Sequence, residues 1–233
     1  HIGPKSFSGY KLTDYDIIKR LLPIAAENGI MLALEVHTKD GVGADYQQKY
    51  IELAEKTGLP YVGLQADFST FSYCISTADI IEAVSNGANR EVLEFVREKQ
   101  REAYFAGETF DYAAISEEVE KLHPNEADRR ALRFAVGGNG GAKPSFQKLY
   151  QDLKDYASKL VYVHGKFYNI DEQGQVDDMD YPVILKALQD GGYKGYICSE
   201  FEGNRRMNMI GWCDEIDLVR RHQQLMRRCL GRE

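Results

Sequence analysis

Four short apolar segments, each closing on a polar–x–polar triplet, constrain this chain more than any other feature. "MLALEV" runs into Glu35-Val36-His37, and "YVGLQADF" carries Gln65-Ala66-Asp67. "KLVYVHGKF" ends through His164-Gly165-Lys166, and "YICSEF" ends in Glu200-Phe201-Glu202. Each segment has the length of a strand, and side chains two apart on a strand share a face. Amphipathic, helix-like stretches separate them. Thr13 is placed to cap a first helix, with Asp16 three residues on and Gly29 at its end. Pro23 lies inside that helix and is expected to kink or break it. A second helix is expected over about 45 to 56, closed by Gly58, and two or three more from about Thr77 to Arg133. "GGNGGAKPS", residues 137 to 145, is the most loop-like stretch. Ser145 then caps a helix to about Lys159, and further helices are expected over 180 to 189 and 214 to 229. Strands alternating with helices imply an α/β fold, with a parallel sheet covered by helices. Such sheets bind ligands at the C-terminal ends of their strands.

One polar strand end is ordinarily a solvated terminus or an ion-pair partner. Four in succession, at the functional edge of one sheet, point to a shared site. Two Glu, one Asp and one His make a hard, mostly oxygen donor set with one nitrogen. That set suits Mn²⁺, Mg²⁺ or Co²⁺ better than structural zinc, which favours thiolates and histidines. Three carboxylates converging without a cation would repel one another, and a divalent ion removes that difficulty.

The bulk of the chain excludes other classes. A net charge of −7 argues against binding nucleic acid through its phosphates. No run of 18 apolar residues is available to span a membrane, and "HIGPKSFSGYKL" lacks the layout of a signal peptide. Cys74, Cys198, Cys213 and Cys229 are scattered with no CxxC pair, which reads as buried thiols in a reducing, cytoplasmic setting. The arginines near the end, Arg220, Arg221, Arg227 and Arg228, read as the solvated side of a final helix, with His222 exposed among them. His123 is read the same way.

"LALEVH", "GLQADFS", "YVHGKFY" and "GYICSEFEGN", in this order, resemble the xylose isomerase-like TIM barrels, a superfamily of sugar isomerases and epimerases. The resemblance implies a (β/α)8-type barrel and a metal site of Glu35, Asp67, His164 and Glu200, with Mn²⁺ the expected ion. On that reading residues 1–233 are a single, partial barrel domain whose first strands would lie ahead of His1. Asp67 and His164 stand 97 positions apart, so a mostly helical insertion is expected over 76–159. Ketose 3-epimerases of the superfamily carry a further catalytic Glu six residues past the first ligand, where this chain has Gly41. The endonuclease IV type needs more histidines and a basic groove. "YVHGKFYNIDEQGQVDDMDYPVILKALQDGGYKGYICSEFEGNR" and the long insertion are similar to the large subunit of bacterial C-glycoside deglycosidases. This implies a metal-dependent lyase that cleaves the carbon–carbon bond of a 3-oxo-C-glycoside by enediolate formation and elimination, in a hetero-oligomer with a small beta subunit. A sugar or sugar-phosphate isomerase or epimerase using the same enediolate is the alternative.

Other residues take roles within that reading, each beside a plainer one. His37 is either the base that takes the proton or a partner that orients Glu35. Lys166 either supplies positive charge to the substrate or forms a salt bridge to Glu202. Gln65 holds a sugar hydroxyl or makes a core hydrogen bond. Glu202 with Arg205 or Arg206 forms a substrate loop or a surface ion pair. Phe68, Phe71, Tyr73 and Trp212 stack on an aglycone or pack in the core.

Overall fold

The computed structural model describes residues 13–37, 39–135, 144–203 and 213–232. Among them, four strands form one parallel sheet and nine α-helices surround it. In chain order the elements are α1 (Asp14–Glu27), β1 (Leu32–Val36), α2 (Asp45–Thr57), β2 (Val62–Asp67), α3 (Thr77–Ser85), α4 (Arg90–Ala106), α5 (Tyr112–Lys121), α6 (Glu126–Ala135), α7 (Phe146–Tyr156), β3 (Leu160–Phe167), α8 (Tyr181–Asp190), β4 (Ile197–Phe201) and α9 (Glu215–Cys229). Short 3₁₀ turns follow β2 (Phe68–Phe71) and α7 (Ala157–Lys159). The strands lie side by side in sequence order and all run the same way. Arg205, Arg206, Trp212 and most of "GGNGGAKPS" lie outside the described residues.

Local sequence explains most element ends. Thr13 caps α1 through a reciprocal pair, its hydroxyl accepting from the Asp16 amide while the Asp16 carboxylate accepts from the Thr13 amide. The helix runs through Pro23 without ending. The carbonyl that Pro23 cannot bond is that of Lys19, and both residues are exposed, so water can take the place of the missing donor. Gly58, at φ 67°, closes α2 in the left-handed conformation. Between residues 77 and 135 four helices form, one more than the sequence suggests, because Asn89 and Asp111 each cap a new start.

The polar face of the sheet is set by register. Glu35 pairs with Gln65 across β1 and β2, and Lys166 with Glu200 across β3 and β4. Between β2 and β3 the register slips once. Leu64 faces Leu160, but Gln65 faces Tyr162 and Asp67 faces His164, so Val161 is an extra, bulged residue. Leu64, Val163, Phe167, Ile184 and Leu188 belong to the main core, where the sheet meets its helices. Helices α3 to α6 hold a second, separate core around Ile80, Val92, Leu93, Val96, Val119 and Leu132. The segment after β3 ties the two together. Thr77 donates its amide to Asp177 at 2.9 Å, Arg97 pairs with Asp177 at 3.0 Å, and Ser72 donates to Asp178 at 2.8 Å.

Two exposure expectations are corrected. His222 is completely buried rather than exposed. Its ring stacks on Phe167 with centroids 4.1 Å apart and meets the edge of Tyr181. Of the cysteines, Cys74 alone is buried, and the other three are half-buried. No helix among the described residues is long and apolar enough to cross a membrane.

Candidate metal centre

Each strand delivers its polar residue by a simple local cause. Asp67 is the last residue of β2 and the first residue before a 3₁₀ turn. Its Oδ1 accepts the Ser69 amide at 2.8 Å, which turns Oδ2 away from the helix end and into the site. Glu35 is two residues from Ala33 on an edge strand, and Glu200 holds the equivalent place on the opposite edge. His164 stands directly across from Asp67 on β3.

These side chains meet. Nδ1 of His164 lies 2.7 Å from Glu35 Oε1, 2.8 Å from Glu200 Oε2 and 3.9 Å from Asp67 Oδ2. One ligand atom from each of Glu35, Asp67, His164 and Glu200 lies within 4.8 Å of all the others, so the group could hold a metal ion. The donor chemistry fits that use. Asp67 Oδ2 and Glu200 Oε2 are buried and make ion-pair contacts, yet neither accepts a properly directed hydrogen bond among the described residues. A spherical cation needs no directed hydrogen, so it is the kind of partner that satisfies such oxygens. Three carboxylate oxygens and one imidazole nitrogen suit a hard or borderline divalent ion.

Lys166 sits at the edge of this cluster. Its Nζ is 2.9 Å from Glu200 Oε1, 3.2 Å from Asp67 Oδ2 and 3.2 Å from Glu202 Oε2. Burial works against its charge, but the hydrogen bond to Glu200 and the charges of Asp67 and Glu200 outweigh it and hold the ammonium above the ordinary lysine value. Lys166 is therefore a fixed cation. It makes the salt bridge to Glu202 that the sequence allowed, and it reaches two of the clustered carboxylates as well.

Gln65 reaches His164, with its amide nitrogen 3.0 Å from Nε2 and 3.3 Å from Nδ1. One atom cannot lie along both lone pairs of an imidazole at those distances. The amide therefore lies against the ring rather than along either lone pair. His37 follows the end of β1 and is exposed. Phe68 and Phe71 are buried in the main core, and Tyr73 stacks on Tyr104 with centroids 4.2 Å apart.

Two residues near the site escaped the sequence. Ser199, beside Glu200, has its Oγ 2.9 Å from His222 Nδ1, on the helix-covered side of β4. The signal for His222 was present: Leu218, Val219, His222, Leu225, Met226 and Cys229 form one helical stripe, and the flanking arginines masked it. Nothing in "KLVYVHGKF" marks Val161 as the bulged residue.

No protein-family model matches the chain. It is similar to the C-glycoside deglycosidase alpha subunit of Arthrobacter globiformis, with 29% identity over 220 residues, covering 92% of this chain and 59% of that protein. It is 27% identical over 224 residues to the 3'-dehydrocarminate deglycosidase alpha subunit of a Microbacterium species, covering 93% of this chain and 62% of the relative. A C-glycoside deglycosidase alpha subunit of Microbacterium trichothecenolyticum is 27% identical over 216 residues, 91% of this chain and 57% of the relative. The chain thus spans about three fifths of the length of these curated relatives.

Proposed function

We propose that the chain acts as a large subunit of a C-glycoside deglycosidase, a divalent-metal-dependent lyase working with a small beta subunit in the cytoplasm. The four strands are then consecutive staves of a (β/α)8-type barrel, and residues 76–159 are its mostly helical insertion. The observation that carries the reading is the convergence of Glu35, Asp67, His164 and Glu200 within 4.8 Å. The similarity to deglycosidase alpha subunits, along nine tenths of the chain, supports the same choice.

Glu35, Asp67, His164 and Glu200 would hold the ion, with Mn²⁺ preferred and Mg²⁺ or Co²⁺ as alternatives. When bound, it supplies Lewis acidity towards a sugar carbonyl and the neighbouring hydroxyl, which makes the adjacent carbon-bound proton more acidic. His37, two residues past Glu35, takes the proton from sugar C2. Lys166 offers its ammonium to the oxygen on which negative charge grows. Gln65, Glu202 and Arg205 position sugar hydroxyls. In the resulting enediolate the electron pair moves to form a C1–C2 double bond. The bond from C1 to the aryl carbon breaks, and a proton goes to that carbon or to its phenol oxygen.

A sugar isomerase or epimerase would use the same enediolate and return the proton elsewhere. Ketose 3-epimerases need a second carboxylate six residues past the first. Here Gly41 sits at φ 68°, where a glutamate would be strained and its Cβ would press on Leu149 Cδ2 at 2.9 Å. Incubating the Mn²⁺-loaded complex with a 3-oxo-C-glucoside separates the two reactions. Release of aglycone is the expected outcome. Interconverted sugar with the aryl bond intact would overturn the lyase.

A further inference from the structure

We infer that Gly63 and Val161 together form a register device that turns His164 into the metal centre; the inference rests on the metal site proposed above. Leu160 starts β3 facing the main core. Had β3 simply alternated from there, Val163 would stand opposite Asp67, and His164 would point into the helix-covered layer. A shift of one residue exchanges every side chain between faces. The bulge makes that exchange. Val161 takes no partner, and beyond it Tyr162 pairs with Gln65 and His164 with Asp67. Val163 and Phe167 then enter the main core with no exposure at all. Lys166, two residues past His164, comes to the side of Glu200.

The bulged residue needs space over β2, and Gly63 provides it. A Cβ at position 63 would lie 2.6 Å from Val161 Cγ1 and 3.1 Å from the Lys159 carbonyl oxygen. No side-chain-bearing residue fits there while Val161 keeps its place. Val161 Cβ would be 3.7 Å away, an ordinary contact, so the methyl of Val161 is the main obstacle. Gly63 and Val161 carry no ligand atom of the candidate centre, so their part is one of positioning.

The test uses the full chain and Mn²⁺. In the wild type, pulsed EPR of bound Mn²⁺ is expected to show the ¹⁴N coupling of one imidazole, which His164→Ala removes. Gly63→Ala should lose the same coupling and bind Mn²⁺ about tenfold or more weakly, the scale on which supporting residues act on a metal site. Nuclear Overhauser contacts between β2 and β3 should show Asp67 no longer opposite His164. Gly63→Ala/Val161→Ala should recover both the coupling and the register. If Gly63→Ala does not fold, the double variant carries the test: folded with coupling it supports the device, and unfolded or without coupling it counts against it. A folded Gly63→Ala with unchanged register and coupling overturns the inference. Failure of the metal reading looks different, because the wild type itself then shows no coupled nitrogen, while the cross-strand contacts still report whether Gly63→Ala shifts the register.

Discussion

At the scale of single residues, His222 shows how burial decides what a side chain does. Its ring is packed between Phe167 and Tyr181, its Nδ1 meets Ser199, and its Nε2 is buried with no hydrogen-bond partner among the described residues. Burial presses its pKa down to about 3. The folded chain therefore keeps this imidazole neutral, while the unfolded chain protonates it near the ordinary value of 6.5. Between those limits the unfolded state binds more protons, so stability is present above about 6.5 and is lost as pH falls towards 3. The loss is up to about 1.4 kcal/mol for each pH unit in the window. His222→Ala should cost roughly 2–5 kcal/mol near neutrality from lost packing. It should also flatten the acid limb of a urea-unfolding series, and an acid limb as steep as the wild type's would contradict the assignment. The residues of the candidate metal centre were more legible than this one. Glu35, Asp67, His164 and Glu200 close apolar runs and declare themselves by contrast, whereas His222 hides in a helix whose arginines suggest solvent.

At the scale of elements, the strands were legible and their register was not. Apolar runs with polar ends mark β1 to β4 to within a residue or so. The bulge at Val161 depends on how two backbones meet, and the local pattern of β3 alone is compatible with either face. The same holds for the segment joining β3 to α8. Nothing in the local sequence singles out Asp177 and Asp178, yet Asp177 ties α3 and α4 to this segment and Asp178 accepts from Ser72. Asp178 is fully buried, and burial, reinforced by the charge of Asp177, pushes its pKa up to about 8. The folded state therefore holds a proton that the unfolded state releases near 3.8. Stability from this group is complete below about 3.8 and is lost as pH rises through about 8, the opposite sense to His222. Asp178→Asn cannot ionise and can still accept from Ser72. Its stability relative to the wild type should rise steadily from about pH 4 to about pH 8. A constant difference across that range, measured by urea unfolding, would show that Asp178 is already charged in the folded protein.

At the scale of the whole molecule, three carboxylates and an imidazole are gathered where four strands end, at the edge that parallel sheets use for ligands. Gathering them opposes folding, because the carboxylates repel and two of their oxygens are buried without a directed hydrogen bond among the described residues. Lys166 offsets part of this from one side. An ion that binds only the folded arrangement would offset the rest, and mass action turns that binding into stability. At a free concentration 100 times Kd the gain is about 2.7 kcal/mol. The melting temperature should therefore rise with added Mn²⁺, continue to rise with its concentration, and return to the starting value with a chelator. Glu200→Gln and Asp67→Asn each remove one repelling charge from the cluster and, with it, one partner of Lys166, so their stability without metal sums two opposing effects. The Mn²⁺-dependent shift is the discriminating readout. With Mn²⁺ their shift should be small, because a strong ligand has become a weak one. A structural ion-pair network alone would show no such shift even in the wild type. If Glu200→Gln leaves the Mn²⁺-dependent shift and the bound metal unchanged, the four residues do not form a metal centre.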